Sequence, residues 1–190
     1  NQQLLKDLLK ILDKKIRLCL AINLTSTKEK IICDSVENFS LKKKYGIFLQ
    51  KMYCYKFNLF NKNESPWEGT RICKRKDLKS INYMRQKILR KNLNKPLWKF
   101  YKEKSIEIFE NGGWHFNSII SPSAISKKLK TFAHVEFSKS KYSDIKIIKK
   151  NIKNRRDLFG RNITYTKEGL NNSFPGYILK NKNKFKKWIL

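Results

Sequence analysis

The chain has 190 residues, of which 40% are hydrophobic and 13% aromatic, and it carries a formal net charge of +29. Aromatic residues run along its whole length, which excludes a disordered chain and fits one globular domain with a real core. No apolar run reaches the roughly 20 residues that a membrane helix needs, and no charged start followed by an apolar run reads as a signal peptide.

Residues 2–15 read as a helix, because Leu4, Leu5, Leu8, Leu9 and Leu12 form one apolar stripe at helical spacing. Residues 16–22 fit either a continuation of that helix or a strand. Ile31-Ile32-Cys33 reads as a short buried strand with Asp34 at its tip, a common site geometry in α/β folds. From 46 to 59 the chain alternates. Ile47, Leu49, Tyr53, Tyr55, Phe57 and Leu59 share one parity and Lys51 breaks it, which predicts one long strand or two pieces. Residues 61–66 are turn-like, and 78–91 read as a basic helix.

Residues 105–109 and 114–120 read as strands, and Asn111-Gly112-Gly113 between them predicts a hairpin. Ser121-Pro122 is a helix start, with Ser as cap and Pro in the first turn, and Ile125, Leu129 and Phe132 face inward. Ser143 opens another helix with Ile145, Ile148 and Ile152 on one side. Residues 176–190 form a basic C-terminal tail whose apolar end, Phe185, Trp188, Ile189 and Leu190, fits a docked terminal helix. Strands and helices are mixed, so the expected class is α/β or α+β, and α/β with a mixed sheet flanked by helices is the one carried forward. Cys19, Cys33, Cys54 and Cys73 make no C-x-x-C pair and sit among apolar neighbours, so buried free thiols are expected.

Three strings occur in order: Pro66-Trp67-Glu68-Gly69-Thr70-Arg71 with Lys76-Asp77-Leu78 after it; Gly112-Gly113-Trp114-His115-Phe116 with Phe132-Ala133-His134-Val135-Glu136 after it; and Arg156-Asp157-Leu158-Phe159-Gly160-Arg161. Together, over residues 31–165, they resemble glycosyltransferase family 17, the β-1,4-mannosyl-glycoprotein β-1,4-N-acetylglucosaminyltransferases. The resemblance implies a GT-A-like single domain and inverting transfer of N-acetylglucosamine from a UDP-sugar donor to a glycan or other sugar acceptor. It also places Asn1 inside the family's domain, so a first strand and part of the nucleotide pocket are expected upstream. Family relatives in eukaryotes are Golgi membrane proteins, whereas bacterial or viral members need no anchor.

Family members carry an acidic motif close to Ser-Asp-x-Asp-Glu-Ile-Pro at a strand end. The matching place is Cys33-Asp34-Ser35-Val36-Glu37-Asn38, which keeps Asp34 and Glu37. The resemblance implies that these two carboxylates hold a divalent metal, Mn or Mg, on the diphosphate. Val36 replaces the middle carboxylate, which weakens a hard-cation site.

Inversion needs a general base for the acceptor hydroxyl and positive charge for the departing diphosphate. Asp77, His115, Glu136 and Asp157 are the candidate catalytic groups. Asp157 follows two arginines, so a structural ion pair fits it equally well. His115 reads either as an acid–base group or as a hydrogen-bonded structural residue. For the donor, Trp67, Gly69, Thr70, Arg71, Trp114, His134 and Arg161 are the candidates: guanidinium groups grip phosphates in a bidentate manner. Trp67 fits a sugar platform or a core position.

Two other readings compete. The charge suits a nucleic-acid-binding domain, but its lysines are spread along the chain and no helix-turn-helix, zinc-finger or RNP-like string supports it. Val36 suits a non-catalytic relative.

Overall fold

The computed structural model describes residues 18–21, 41–131 and 139–190. The expected helix over 2–15, the strand ending at Asp34 and the inward Phe132 lie outside the described residues. The strands are β1 (Leu18–Ala21), β2 (Tyr45–Cys54), β3 (Leu59–Phe60), β4 (Trp67–Lys74), β5 (Ile106–Phe109), β6 (Trp114–Asn117) and β7 (Thr166–Lys167). The helices are α1 (Ile81–Lys87), α2 (Pro122–Thr131), α3 (Ser140–Ser143), α4 (Ile145–Lys153), α5 (Gly176–Lys180) and α6 (Lys182–Phe185). Parallel and antiparallel pairs both occur, so the expected mixed α/β class holds. Among the described residues no helix is long and apolar enough to cross a membrane.

The chain divides into two compact units, Asn1–Gln50 with Trp67–Gly113, and Lys51–Pro66 with Trp114–Leu190. No linker composition announces the division, because the boundary falls inside a strand.

In the first unit β4 pairs antiparallel with β1 on one side and with the first half of β2 on the other, from Tyr45↔Cys73 to Gln50↔Trp67. The register shifts between Phe48 and Gln50, next to the parity break read at Lys51. β5 runs parallel to β2, pairing Tyr45↔Ile106 through Phe48↔Phe109. Alternation then sorts the side chains. Tyr45, Ile47, Leu49, Cys73 and Ile106 pack with Met84 of α1 and with Ile88. Ile72, Leu41, Phe48 and Phe109 form a second cluster, with the two phenyl rings stacked at 4.9 Å. The basic helix expected over 78–91 is shorter, because Ser80 caps Tyr83 N at 3.0 Å and Asn92 Nδ2 bonds the Lys87 carbonyl at 2.7 Å.

The expected hairpin over 105–120 does not form. β5 pairs parallel with Tyr45–Phe48 and β6 pairs parallel with Lys51–Cys54, so both run beside β2 and not beside each other. The turn steps along β2 instead of reversing: Gly112 N donates to Leu49 O at 2.7 Å, with Asn111 at φ 54° and Gly113 at φ 105°. A Cβ on Gly112 would stand 2.6 Å from Phe48 Cβ and 2.9 Å from its Cα, so only glycine lets the backbones meet.

In the second unit the rest of β2 lies between β6 and β3, and β7 pairs with β3. Tyr53 packs on Phe60, Phe116 and Phe174 at 5.2–5.7 Å between ring centres. α2 starts where Ser121-Pro122 places it, with Ser121 Oγ accepting from Ala124 N at 3.2 Å and Ile125 and Leu129 buried. The cap of α4 is Asp144, one residue after Ser143; it accepts from Lys146 N and Ile147 N, and α4 buries Ile148 and Ile152 while Ile145 stays exposed. Residues 176–190 pack closely. Ile178 is buried, Phe185 meets Phe57 edge-on at 5.3 Å, and Trp188 O accepts from Phe57 N at 2.8 Å.

Candidate functional site

Among the described residues, five of the candidates, Trp67, Gly69, Thr70, Arg71 and Asp77, belong to the first unit. Trp67, Gly69, Thr70 and Arg71 are consecutive or alternate positions of β4, a strand that the sequence pattern did not announce. The Trp67 indole folds over Gly69 so closely that a Cβ there would lie 1.9 Å from Nε1. Thr70 Oγ1 donates to Gln50 Oε1 at 3.1 Å. Arg71 is only 8% exposed; its Nε donates to Ile88 O at 2.7 Å and Nη1 to Gly69 O at 3.4 Å. Burial lowers its pKa against the pull of Glu68, and Arg85 lowers it further. Its guanidinium therefore ties two carbonyls together. Asp77 closes a 3-10 turn after β4. Its carbonyl accepts from Tyr45 OH at 2.7 Å, and its Oδ2 is buried with no hydrogen-bond partner among the described residues. Burial, then Tyr83, Glu103, Cys73 and Asp77, push the Tyr45 hydroxyl up to about 12, so it stays a donor.

The second unit brings four charged or titratable groups together. β6 alternates, so Phe116 meets the Tyr53 ring while His115, paired with Met52, faces the other way. Burial holds the His115 imidazole below the usual histidine value, and the nearby Glu64 carboxylate pulls it partly back up. Glu64 Oε1 pairs with Arg161 Nη1 at 2.7 Å, and Asn61 Oδ1 caps Glu64 N at 3.2 Å. Arg161 also binds the buried Asp157, which receives further hydrogen bonds from Phe159 N, Arg161 N and Tyr165 OH. Burial alone would raise the Asp157 carboxyl; the bonds from Arg161 and Tyr165 outweigh it and hold the carboxyl below the usual range.

This geometry sorts the candidates. Asp157 has both oxygens occupied and a depressed pKa, so it makes a structural ion pair and is a poor proton acceptor. Two carboxylates surround the one Arg161 guanidinium, so the cluster is net negative and unsuited to a diphosphate. It suits a neutral imidazole that accepts a proton from a hydroxyl, with Glu64 stabilising the imidazolium that forms. Trp114 Nε1 donates to Ser173 O at 2.9 Å. Glu64 is the residue that sequence reasoning missed. Its signal was faint, a carboxylate two positions before Pro66 in a stretch read only as a turn.

Asp34, Glu37, His134 and Glu136 lie outside the described residues. Among the described residues no group of three or more His, Cys, Asp or Glu is placed to hold a metal ion, and the carboxylates of Glu64 and Asp157 are committed to Arg161. Those carboxylates do not fit the divalent metal that the resemblance implies. Cys54 is a buried free thiol, which burial pushes up to about 12, and Cys73 is buried in the core of the first unit. No family model, no curated protein and no solved structure matches the chain.

Proposed function

We propose that the protein is an inverting glycosyltransferase that moves N-acetylglucosamine from a UDP-sugar to a sugar hydroxyl, with His115 as the general base. The resemblance of the three ordered strings motivates the reaction class. One observation supports the reading: Arg161 from the third string bonds Glu64, 97 residues away in sequence, and the Glu64 carboxylate acts electrostatically on His115 from the second. Distant strings that share no hydrophobic role have a reason to converge when they build one site. In this reading His115 takes the acceptor proton, Glu64 steadies its charged form, and Arg161 with Asp157 holds Glu64 in place. GT-A-like architecture and a metal on Asp34 and Glu37 belong to the same proposal.

Calorimetry with UDP-N-acetylglucosamine, with and without manganese, tests donor binding, and UDP release over a panel of glycan acceptors tests turnover. The expected result is metal-assisted donor binding that survives His115→Ala while turnover falls about 100-fold or more. A His115→Ala protein with unchanged turnover, or no donor binding at millimolar concentration, overturns the proposal.

The charge of +29 favours a second reading, binding of nucleic acid. It requires salt-sensitive retention of DNA or RNA at physiological ionic strength, and elution independent of salt removes it.

A further inference from the structure

The second unit contains a cleft of about 390 Å³ walled by the start of α2, the last turns of α4 and the segment from Lys187 to Leu190. We propose that this cleft binds a small phosphate-bearing molecule with an aromatic or apolar body. The proposal rests on the cleft alone and not on the transferase reading.

Lys56, Lys149, Lys153 and Lys187 line the cleft, and no Asp or Glu side chain does. Lys149 and Lys153 are one helical turn apart on α4, on the wall that also presents Ile152. Lys56 Nζ reaches across to the Lys187 carbonyl, and burial lowers its pKa. Lys187 Nζ sits 5.2 Å over the centre of the Trp188 ring. Like charges gathered around one volume repel each other unless an anion enters. Lysines serve phosphates as point charges with rotatable donors.

The rest of the lining is apolar or aromatic: Tyr55, Ile120, Pro122 and Trp188 supply a surface for the uncharged part of a ligand. The volume lies within the range of about 300–1,000 Å³ typical of small-molecule sites. The walls are held in place. Asn58 Nδ2 and Oδ1 bond Leu190 O and N at 3.2 and 2.8 Å, and Phe57 N bonds Trp188 O. A lysine-rich lining beside apolar and aromatic residues selects a phosphate monoester or diphosphate on a ring better than a bare ion.

Phenyl phosphate and inorganic pyrophosphate are the probes, titrated by calorimetry at physiological salt and followed by tryptophan fluorescence. Phenyl phosphate is expected to bind and change the fluorescence, and Trp188→Phe to remove that change. The double variant Lys149→Gln/Lys153→Gln is expected to weaken binding about tenfold. Lys91→Gln/Lys95→Gln, with the same charge change on exposed residues of the first unit, is expected to leave it unaltered. Equal weakening by both doubles means that net charge alone attracts the probe and overturns the proposal, as does absence of binding. A single-stranded oligonucleotide that displaces phenyl phosphate and binds far more tightly overturns the small-molecule assignment in favour of nucleic acid. All variants change exposed or half-exposed side chains, and circular dichroism checks that each is folded.

Discussion

Arg161 grips the buried carboxylate of Asp157 with two nitrogens, Nη2 to Oδ1 at 2.8 Å and Nε to Oδ2 at 3.1 Å, while Nη1 reaches Glu64 at 2.7 Å. The pair closes a turn around Gly160, whose φ of 71° suits glycine, and Leu158 beside it is buried. One arginine thus joins a turn near residue 160 to the turn that carries Glu64.

Arg161→Ala strands Asp157 in the interior without its ion partner. The expected loss is about 2–3 kcal/mol, below the full range for breaking a buried pair because Arg161 is itself nearly half exposed. Urea unfolding measures it. The Asp157 carboxyl sits below its unfolded value, so its contribution is complete above the unfolded pKa of about 3.9 and fades as pH falls through the folded value. Acid unfolding of the wild type should therefore begin below about pH 4, and Arg161→Ala should move its onset upward. An unchanged acid onset in the variant contradicts the assignment.

His115 titrates below the usual histidine value because burial disfavours its charged form. A histidine with a lowered folded pKa contributes stability that is complete above the unfolded value of about 6.5 and declines as pH falls through the folded value. Proton NMR on His134→Gln protein, which leaves one imidazole to follow, should give a midpoint below 6.5. Glu64→Gln removes the charge that pulls the imidazole upward and should lower that midpoint further. An unchanged midpoint after Glu64→Gln separates the two groups electrostatically.

Gly112→Ala forces a methyl group into the backbone of Phe48, which cannot swing aside as a side-chain tip can. Overpacking of this kind costs on the order of 1–3 kcal/mol. Thermal unfolding should report the loss, and a neutral result would mean that the turn relaxes away from β2.

Much of this was legible in the sequence and some was not, for physical reasons. Ser121-Pro122 fixed the start of α2 because cap and proline act within one turn, and the apolar spacing of Ile148 and Ile152 marked the buried side of α4. The parity of Ile47, Leu49 and Tyr53 marked β2, but Tyr55 and Phe57 fall in the turn between β2 and β3, so the alternation covers two pieces and not one long strand. The hairpin failed because Asn111-Gly112-Gly113 says only that the chain bends; whether the next strand reverses or continues depends on the Gly112–Leu49 contact, which is not local. The candidate site was half legible. The strings marked His115, Asp157 and Arg161, but Glu64 acts through partners 51 and 97 positions away, and no local pattern encodes such a meeting.

Asn58 is a buried side chain between β2 and β3 that ties down the last stretch of the chain, donating to Glu168 O at 3.1 Å and Leu190 O at 3.2 Å and accepting from Leu190 N at 2.8 Å. Asn58→Ala leaves the half-buried carbonyl of Glu168 without this donor and frees both backbone groups of Leu190. Each lost buried partner costs about 1 kcal/mol or more, so a total of about 1–3 kcal/mol is expected. Hydrogen exchange gives the sharper reading: the Leu190 amide should lose its protection, whereas Ile178 and the amides of α4 should keep theirs. Since Trp188 and Leu190 wall the lysine-lined cleft, the same variant should weaken phenyl phosphate without any change in charge. Preserved affinity would show that the cleft does not depend on this anchor.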